Sequence, residues 1–212
     1  GVMSKNPIIV FEGIEGSGKS LHISNVANYL KKKGKKFIKI REPGGCKNSE
    51  IIRKIILSNN SNFSKNTDLL LYLASRSENI DKIIKRNYKK KIILIDRFID
   101  STIAYQHYGM SVDLKLINYI NKILLKDILI DYTFLNLVNE KNLKLRLNKR
   151  KNLNRYDKFK ISFYKKVQAG FIKLANKNKK KYLKINSNLD ILINKKIIIN
   201  KIDQLIKWTN YP

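Results

Sequence analysis

The residues from Gly13 to Ser20 have the types and the spacing of a phosphate-binding loop (P-loop). They read GIEGSGKS, which fits the pattern G-x-x-x-x-G-K-S. Glycines let consecutive backbone N–H groups curl around phosphate oxygens without interference from a Cβ atom. Lys19 would bring a positive charge to the β- and γ-phosphates, and the Ser20 hydroxyl is placed to hold Mg²⁺. This segment therefore predicts the binding of a nucleoside triphosphate with its metal ion.

A second pair of charged residues, Asp96 and Arg97, follows the apolar run Ile92–Ile95. Open α/β sheets bind their ligands at the carboxyl ends of the strands, which is where such a pair would lie. An aspartate there can act on Mg²⁺, either through water or through Ser20, and an arginine can face phosphates. Taken alone, an Asp-Arg pair is more simply interpreted as a surface ion pair, which stabilises a folded protein by at most about 1 kcal/mol.

The elements that must position these residues alternate along the chain. Short apolar runs predict five strands, at Ile8–Phe11, Phe37–Ile40, Ile92–Ile95, Tyr132–Leu137 and Tyr182–Ile185. Helical periodicity lies between and after them, at about Leu21–Leu30, Glu50–Leu57, Thr67–Asn87, Ile99–His107, Leu114–Lys126, from Glu140, at Ser162–Asn176 and at the end of the chain. This alternation predicts a single α/β domain over residues 1–212, with a five-stranded parallel sheet covered by helices on both faces.

Composition limits the classes of function. Hydrophobic residues make up 43% of the 212 residues, which is enough to predict a folded core despite a net charge of +29. The lysines are scattered along the chain, so the charge predicts no specific nucleic-acid partner. No apolar run approaches the roughly 18 residues of a membrane span. Cys46 is the only cysteine and cannot form an internal disulfide. We expect a cytoplasmic protein.

Four motifs together carry a resemblance to a known family. They are FEGIEGSGKS, REPGG at residues 41–45, LYLASR ending at Arg76, and DRFIDSTIAYQHYG at residues 96–109. In order and spacing this set resembles the bacterial thymidylate kinases, over nearly the whole chain. The resemblance implies a P-loop nucleoside monophosphate kinase fold with a short basic lid at about residues 149–160. It also implies ATP as donor, Mg²⁺ as cofactor, a homodimer, and the conversion of dTMP to dTDP for dTTP synthesis.

The resemblance further implies a site for the acceptor nucleotide. Arg41 and Arg53 would face its phosphate, and both side chains can clamp a phosphate at any relevant pH. Glu42 and Pro43 would shape the same wall. The other implied contacts to base and sugar are Tyr72, Arg76, Ser101, Thr102, Tyr105 and Gln106. Tyr72 would stack on thymine, although its place on the apolar stripe of its helix fits core packing as well. Tyr105 would crowd a ribose 2′-hydroxyl.

The remaining implied roles concern phosphoryl transfer. The catalytic residues would be Lys19, Arg97 and the lid arginine, Arg155. The ATP-binding residues would be Gly13, Ile14, Glu15, Gly16, Ser17, Gly18, Lys19, Ser20 and Arg150. The metal would involve Ser20, Asp96 and Glu15, and Glu15 would also approach the sugar 3′-hydroxyl. By chemistry alone, Glu15 could be an exposed loop carboxylate and Arg150 part of a solvated basic run.

Two other functions fit parts of the pattern. A deoxynucleoside kinase also has a P-loop and a DR pair, but it needs a carboxylate base for a neutral hydroxyl, whereas Arg41, Arg53 and Arg97 favour an anionic acceptor. A basic nucleic-acid-binding protein with a vestigial nucleotide site would bind DNA or RNA regardless of ATP.

The segment Asn200–Asp203 (NKID) imitates a guanine-reading motif of GTPases, but the chain lacks the Asp-x-x-Gly motif of that class. A terminal helix is the better interpretation there.

Overall fold

The sheet has five strands, all of them parallel. The computed structural model describes residues 6–149 and 153–207. The strands are β1 (Ile8–Glu12), β2 (Phe37–Arg41), β3 (Ile92–Asp96), β4 (Tyr132–Leu137) and β5 (Tyr182–Asn186), in the order β2-β3-β1-β4-β5. The predicted fold class is confirmed. Strands β1, β2, β3 and β5 each extend one residue further than predicted, because the ladder continues onto the polar residue that ends each apolar run.

Helices connect the strands and cover both faces. They are α1 (Lys19–Lys32), α2 (Lys47–Leu57), α3 (Lys65–Asn79), α4 (Ile99–Thr102), α5 (Leu114–Leu125), α6 (Glu140–Asn148), α7 (Ile161–Lys177) and α8 (Ile191–Lys207). Helix α3 continues through a π-helical segment, Ile80–Ile84, into the turn Lys85–Asn87, and α4 continues as a π-helical segment, Ile103–Gly109. The predicted helical ranges are correct there, but apolar periodicity did not distinguish α from π turns.

The core lies on both sides of the sheet. Ile9 and Phe11 of β1 pack with Val26 of α1 and Ile202 of α8 on one face. Their neighbours along the strand, Ile8 and Val10, pack on the other face. Successive side chains of a strand point to opposite faces, so a strand covered on both sides needs an unbroken apolar sequence. This explains why the central strands read as continuous apolar runs.

The NKID segment lies within α8, as the terminal-helix interpretation predicts. Ile202 is buried in the core, and Asp203 accepts a hydrogen bond from the hydroxyl of Tyr29 on α1. The side chain of Asp203 therefore links α8 to α1 by a hydrogen bond. Across residues 6–149 and 153–207, no helix is long and apolar enough to cross a membrane.

Candidate active site

The P-loop connects the end of β1 to the start of α1. Gly13 has φ 140°, and a Cβ atom there would lie 2.6 Å from the carbonyl oxygen of Asn136, so only glycine fits. The Lys19 ammonium folds back over the loop and donates to the carbonyl oxygens of Gly13, at 3.0 Å, and Ile14, at 3.1 Å. The loop thus holds its lysine close to its own backbone.

The Lys19 ammonium is buried among charges of both signs. Burial and the nearby Arg97 lower the pKa of Lys19 to about 8, while the carboxylates of Asp96 and Glu15 oppose the change. An anion bound in the loop would stabilise the charged form and raise this pKa again. The position is therefore electrostatically suited to a phosphate.

Arg97 directs its guanidinium at the same loop. Its backbone has φ 64°, a conformation that is uncommon for a residue with a side chain, and its N–H donates to the Phe11 carbonyl at 3.0 Å. Nη1 donates to the Gly13 carbonyl at 2.9 Å, and Nη2 donates to Glu15 Oε1 at 2.8 Å. Burial would lower the pKa of Arg97, but Glu15 and the other neighbouring acids raise it overall. The guanidinium therefore stays charged.

Both carboxylate oxygens of Glu15 are bound in this structure. Oε1 accepts from Arg97, and Oε2 accepts from the hydroxyl of Tyr105. Burial would raise the pKa of Glu15, but the positive charges of Arg97 and Lys19 outweigh burial and lower it. Glu15 is therefore a partly buried, paired carboxylate and not a freely exposed loop residue.

A first cavity, of about 220 Å³, opens beside the P-loop lysine. Most of the predicted acceptor-site residues line it, together with Lys19, Ser20 and Asp96: Glu15, Arg41, Glu42, Pro43, Arg53, Tyr72, Arg97, Ser101, Tyr105 and Gln106. These residues come from the P-loop with the start of α1, from β2 and the turn after it, from α2, from α3, and from the end of β3 with the segment after it. The fold thus brings separate parts of the sequence to one cavity. The lining combines arginines, which can bind a phosphate, with aromatic rings, which can pack against a base.

The structure does not bring Arg76 and Thr102 to this cavity. The Arg76 side chain is buried beneath it, where Nε donates to Glu42 Oε2 at 2.9 Å and Nη1 donates to Asn121 Oδ1 at 2.8 Å. Its Nη2 donates to Thr102 Oγ1 and to the Phe98 carbonyl, both at 2.9 Å. In this geometry Arg76 supports the cavity wall through Glu42, and its predicted hydrogen bond to the base stays a prediction.

A second cavity, of about 360 Å³, lies on the other side of the P-loop. Its lining includes the predicted ATP-binding residues Gly16, Ser17, Gly18, Lys19 and Ser20. Gly13 and Ile14 do not line it; their carbonyl oxygens accept hydrogen bonds from the Lys19 ammonium. Glu15 lines only the first cavity. Lys19 and Ser20 line both cavities, so the two meet at the P-loop.

Sequence reasoning missed Arg146 of α6 at the second cavity. Its Nη1 donates to the Gly16 carbonyl at 2.7 Å, and its Nη2 donates to the Ser187 carbonyl at 2.6 Å. Ser187 and Asn194, from the end of β5 and from α8, line the same cavity. The only signal for Arg146 in the sequence was an arginine four residues before Arg150, and this signal does not stand out among the neighbouring basic residues.

Of the predicted lid, residues 149 and 153–160 are described, and Arg150 lies outside the described residues. Arg155 lines neither of the two cavities; it binds Asp68 and the carbonyl of Ile56 instead. Its neighbours Asn154 and Tyr156 do line the first cavity, which the sequence did not indicate. The described part of the predicted lid thus lies at the first cavity, and the Arg155 side chain binds Asp68 outside the lining of both cavities.

Two oxygen ligands at the junction fit a magnesium ion. Asp96 Oδ1 is buried, and no donor from the described residues reaches it. The Ser20 hydroxyl opens into the same cavity. Carboxylate and hydroxyl oxygens suit Mg²⁺, which also keeps several waters. Glu15, with both oxygens bound, does not fit as a direct ligand here. The described residues contain no cluster of three or more His, Cys, Asp or Glu that could hold a metal on its own.

Comparison with known proteins gives consistent matches. The family model described as thymidylate kinase matches residues 11–198. The thymidylate kinase of Sulfurihydrogenibium sp. (strain YO3AOP1) is 40% identical over 199 residues, which are 92% of this chain and 96% of that protein. The thymidylate kinase of Thermosipho africanus is 42% identical over 168 residues, 79% of this chain and 83% of that protein. The crystal structure of thymidylate kinase from Ehrlichia chaffeensis superposes with a TM-score of 0.76 at 32% identity and covers 93% of this chain and 98% of that one.

Proposed function

The chain belongs to the thymidylate kinase family, and from this premise we propose that its first cavity holds dTMP and its second cavity holds ATP. The protein is accordingly a phosphotransferase that converts dTMP to dTDP. The observation that carries the assignment of the two cavities is that Lys19 and Ser20 line both of them. A γ-phosphate held by the P-loop would therefore face the acceptor directly.

The acceptor cavity favours a phosphate over a sugar hydroxyl as the attacking group. Arg41 and Arg53 share the cavity with Arg97, and burial together with the charge of Arg41 lowers the pKa of Arg53. Three cations in one cavity are stabilised by a bound dianion. A phosphate oxygen is already a nucleophile, so no carboxylate base is required. This charge pattern supports a nucleoside monophosphate kinase over a deoxynucleoside kinase.

In the proposed mechanism, catalysis comes from positioning and charge neutralisation. Arg97, held by Glu15 and the Gly13 carbonyl, would contact both phosphates during an in-line transfer, and Lys19 would neutralise charge on the transferred group. Glu15 would orient Arg97 and, through Tyr105, the sugar side of the acceptor. Arg155 stays a predicted catalytic residue that would have to leave Asp68 to reach the phosphates.

We propose Mg²⁺ as the cofactor, held by Ser20 and, through water, by Asp96. The support is the buried, unpartnered Oδ1 of Asp96 in the described part of the chain. When bound, the ion would neutralise charge on the β- and γ-phosphates. Asp96 and Ser20 would orient it, and Glu15 would act only through Arg97.

The cytoplasmic location also stays a proposal, which rests on the single cysteine.

An acceptor panel tests the proposed function. With ATP and Mg²⁺, we expect kcat/KM for dTMP to exceed that for dAMP and dGMP by at least about a hundredfold, because a purine would not fit beside Tyr72 and Gln106. Thymidine should give no product, since it has no anion for the three arginines. The measurement is ADP release in a coupled assay. Phosphorylation of thymidine in preference to dTMP would establish the deoxynucleoside kinase instead, and salt-sensitive DNA binding without any ADP release would favour the nucleic-acid-binding protein.

We also propose that the protein is a homodimer. Helices α2, α3 and α5 pack side by side and expose large apolar side chains. The most exposed are Tyr119 at 66%, Leu70 at 54%, Ile51 at 52% and Ile123 at 50%. An apolar surface on three adjacent helices is typical of an interface, and a second copy would cover it symmetrically.

Replacement of one exposed ring should separate the proposed dimer. Tyr119→Glu places a charge at the most exposed ring of the apolar surface. We expect the dissociation constant of the dimer to rise by at least about a hundredfold. Sedimentation equilibrium measures this directly. Leu192→Glu is the matched control, because Leu192 is 64% exposed on α8, a helix that packs against α1. A wild-type protein that is monomeric at micromolar concentration, or an unchanged Tyr119→Glu dimer, would contradict the proposal.

A further inference from the structure

The buried carboxylate of Asp68, on α3, binds two residues of the predicted lid. Asp68 is 1% exposed, and its Oδ1 accepts from Arg155 Nη2 at 2.5 Å. Its Oδ2 accepts from the hydroxyl of Tyr156. Arg155 Nε also donates to the Ile56 carbonyl in the last turn of α2, at 3.0 Å. Two consecutive lid residues are thus bound to one side chain, with one carboxylate oxygen for each.

The second of these lid residues forms part of the acceptor cavity. The Tyr156 ring meets the rings of Tyr72 and Tyr105 edge to face, with centroids 5.9 Å away in both cases. Its hydroxyl also accepts a hydrogen bond from Gln106 Nε2 at 3.4 Å. Tyr156 therefore lies between the aromatic ring and the amide that are proposed to bind the base, and Asp68 determines where its hydroxyl is held.

We infer that Asp68 is a positioning residue for the acceptor nucleobase, which it places by holding Tyr156 against Tyr72 and Gln106. This inference rests on the proposed function of the first cavity. Asp68 itself does not line that cavity, so it acts through Tyr156 and does not contact substrate. The same carboxylate also binds Arg155, which lines neither cavity. The base pocket and the position of the lid arginine are therefore coupled through one side chain.

The substitution that tests this role is Asp68→Asn, which keeps the size of the side chain. An amide has one acceptor oxygen and one donor nitrogen, so its two ends cannot both accept, as the carboxylate does from Arg155 and Tyr156. One of these two partners would be left unpaired in a buried place. We expect KM for dTMP to rise about tenfold, whereas KM for ATP should stay within about twofold, because Asp68 does not line the second cavity.

A double-mutant cycle separates positioning from stability. Tyr156→Phe removes one oxygen atom and should also raise KM for dTMP, and the double variant should be no worse than the poorer single variant. Asp81→Asn is the matched control, because Asp81 is an exposed acid that forms a surface ion pair with Lys85. Thermal melting of the wild type and all four variants accompanies the kinetics. If Asp68→Asn fails to fold, Tyr156→Phe still carries the test.

The kinetic and melting results distinguish the two roles of Asp68. A rise in KM for dTMP alone, with effects of the two substitutions that do not add, supports the inference. Lower melting temperatures with KM for dTMP within about twofold of the wild type, or fully additive effects, would overturn it. Failure of the wild-type protein to release ADP with dTMP would instead contradict the proposed function itself, and it would remove the premise of the inference with it.

Discussion

Lys19→Ala is expected to lower kcat by at least about a thousandfold. The Lys19 ammonium is buried where the two cavities meet, and it is the P-loop cation that would face a bound γ-phosphate. Its loss removes one of the cations that would compensate the negative charge of the transferred group in a site of low dielectric constant. Steady-state ADP release at saturating dTMP and ATP measures the change.

Two further variants separate charge from packing. Lys19→Met keeps nearly the length of the side chain without its charge, and it should be as inactive as Lys19→Ala. Lys85→Ala removes an exposed lysine that pairs with Asp81 across one helical turn, so it should retain wild-type kcat. Far-UV circular dichroism should show a folded protein in each case. A Lys19→Met enzyme with more than about a tenth of wild-type kcat would contradict the role of the charge.

Arg97→Ala should lower kcat by about a hundredfold to a thousandfold. Its guanidinium reaches both the Gly13 carbonyl and Glu15, so it lies between the loop and the acceptor side. The carboxylate of Glu15 would lose the cation that chiefly offsets its burial, so its pKa should rise. Arg97→Lys should recover little activity, because an ammonium cannot span two phosphates as a guanidinium does.

The backbone at Arg97 supplies a matched control. At φ 64°, alanine is strained and glycine is not, so Arg97→Gly should melt at a higher temperature than Arg97→Ala. Both should have the same low kcat, since both lack the guanidinium. If kcat instead follows the melting temperature across the two variants, Arg97 acts through stability and the catalytic assignment is wrong.

The sequence by itself determined the strands and the loop that begins the site. Apolar runs such as Ile92–Ile95 are local signals, because a strand covered on both faces needs an unbroken apolar sequence. The P-loop is local as well: glycines, Lys19 and Ser20 follow one another, and the turn between strand and helix holds them together. The family resemblance added the acceptor residues, and most of these line one cavity.

The tertiary structure alone decided where three other arginine side chains go. Arg76 and Arg155 were predicted at the nucleotides, but they bind Glu42 and Asp68, two buried carboxylates. Arg146 was not predicted at the site, yet it binds the P-loop backbone. A guanidinium on a flexible stem can reach several places, and it binds where a desolvated acceptor would otherwise be left unpaired. Those acceptors come from distant parts of the chain, so their meeting depends on the packing of the helices and not on the local pattern.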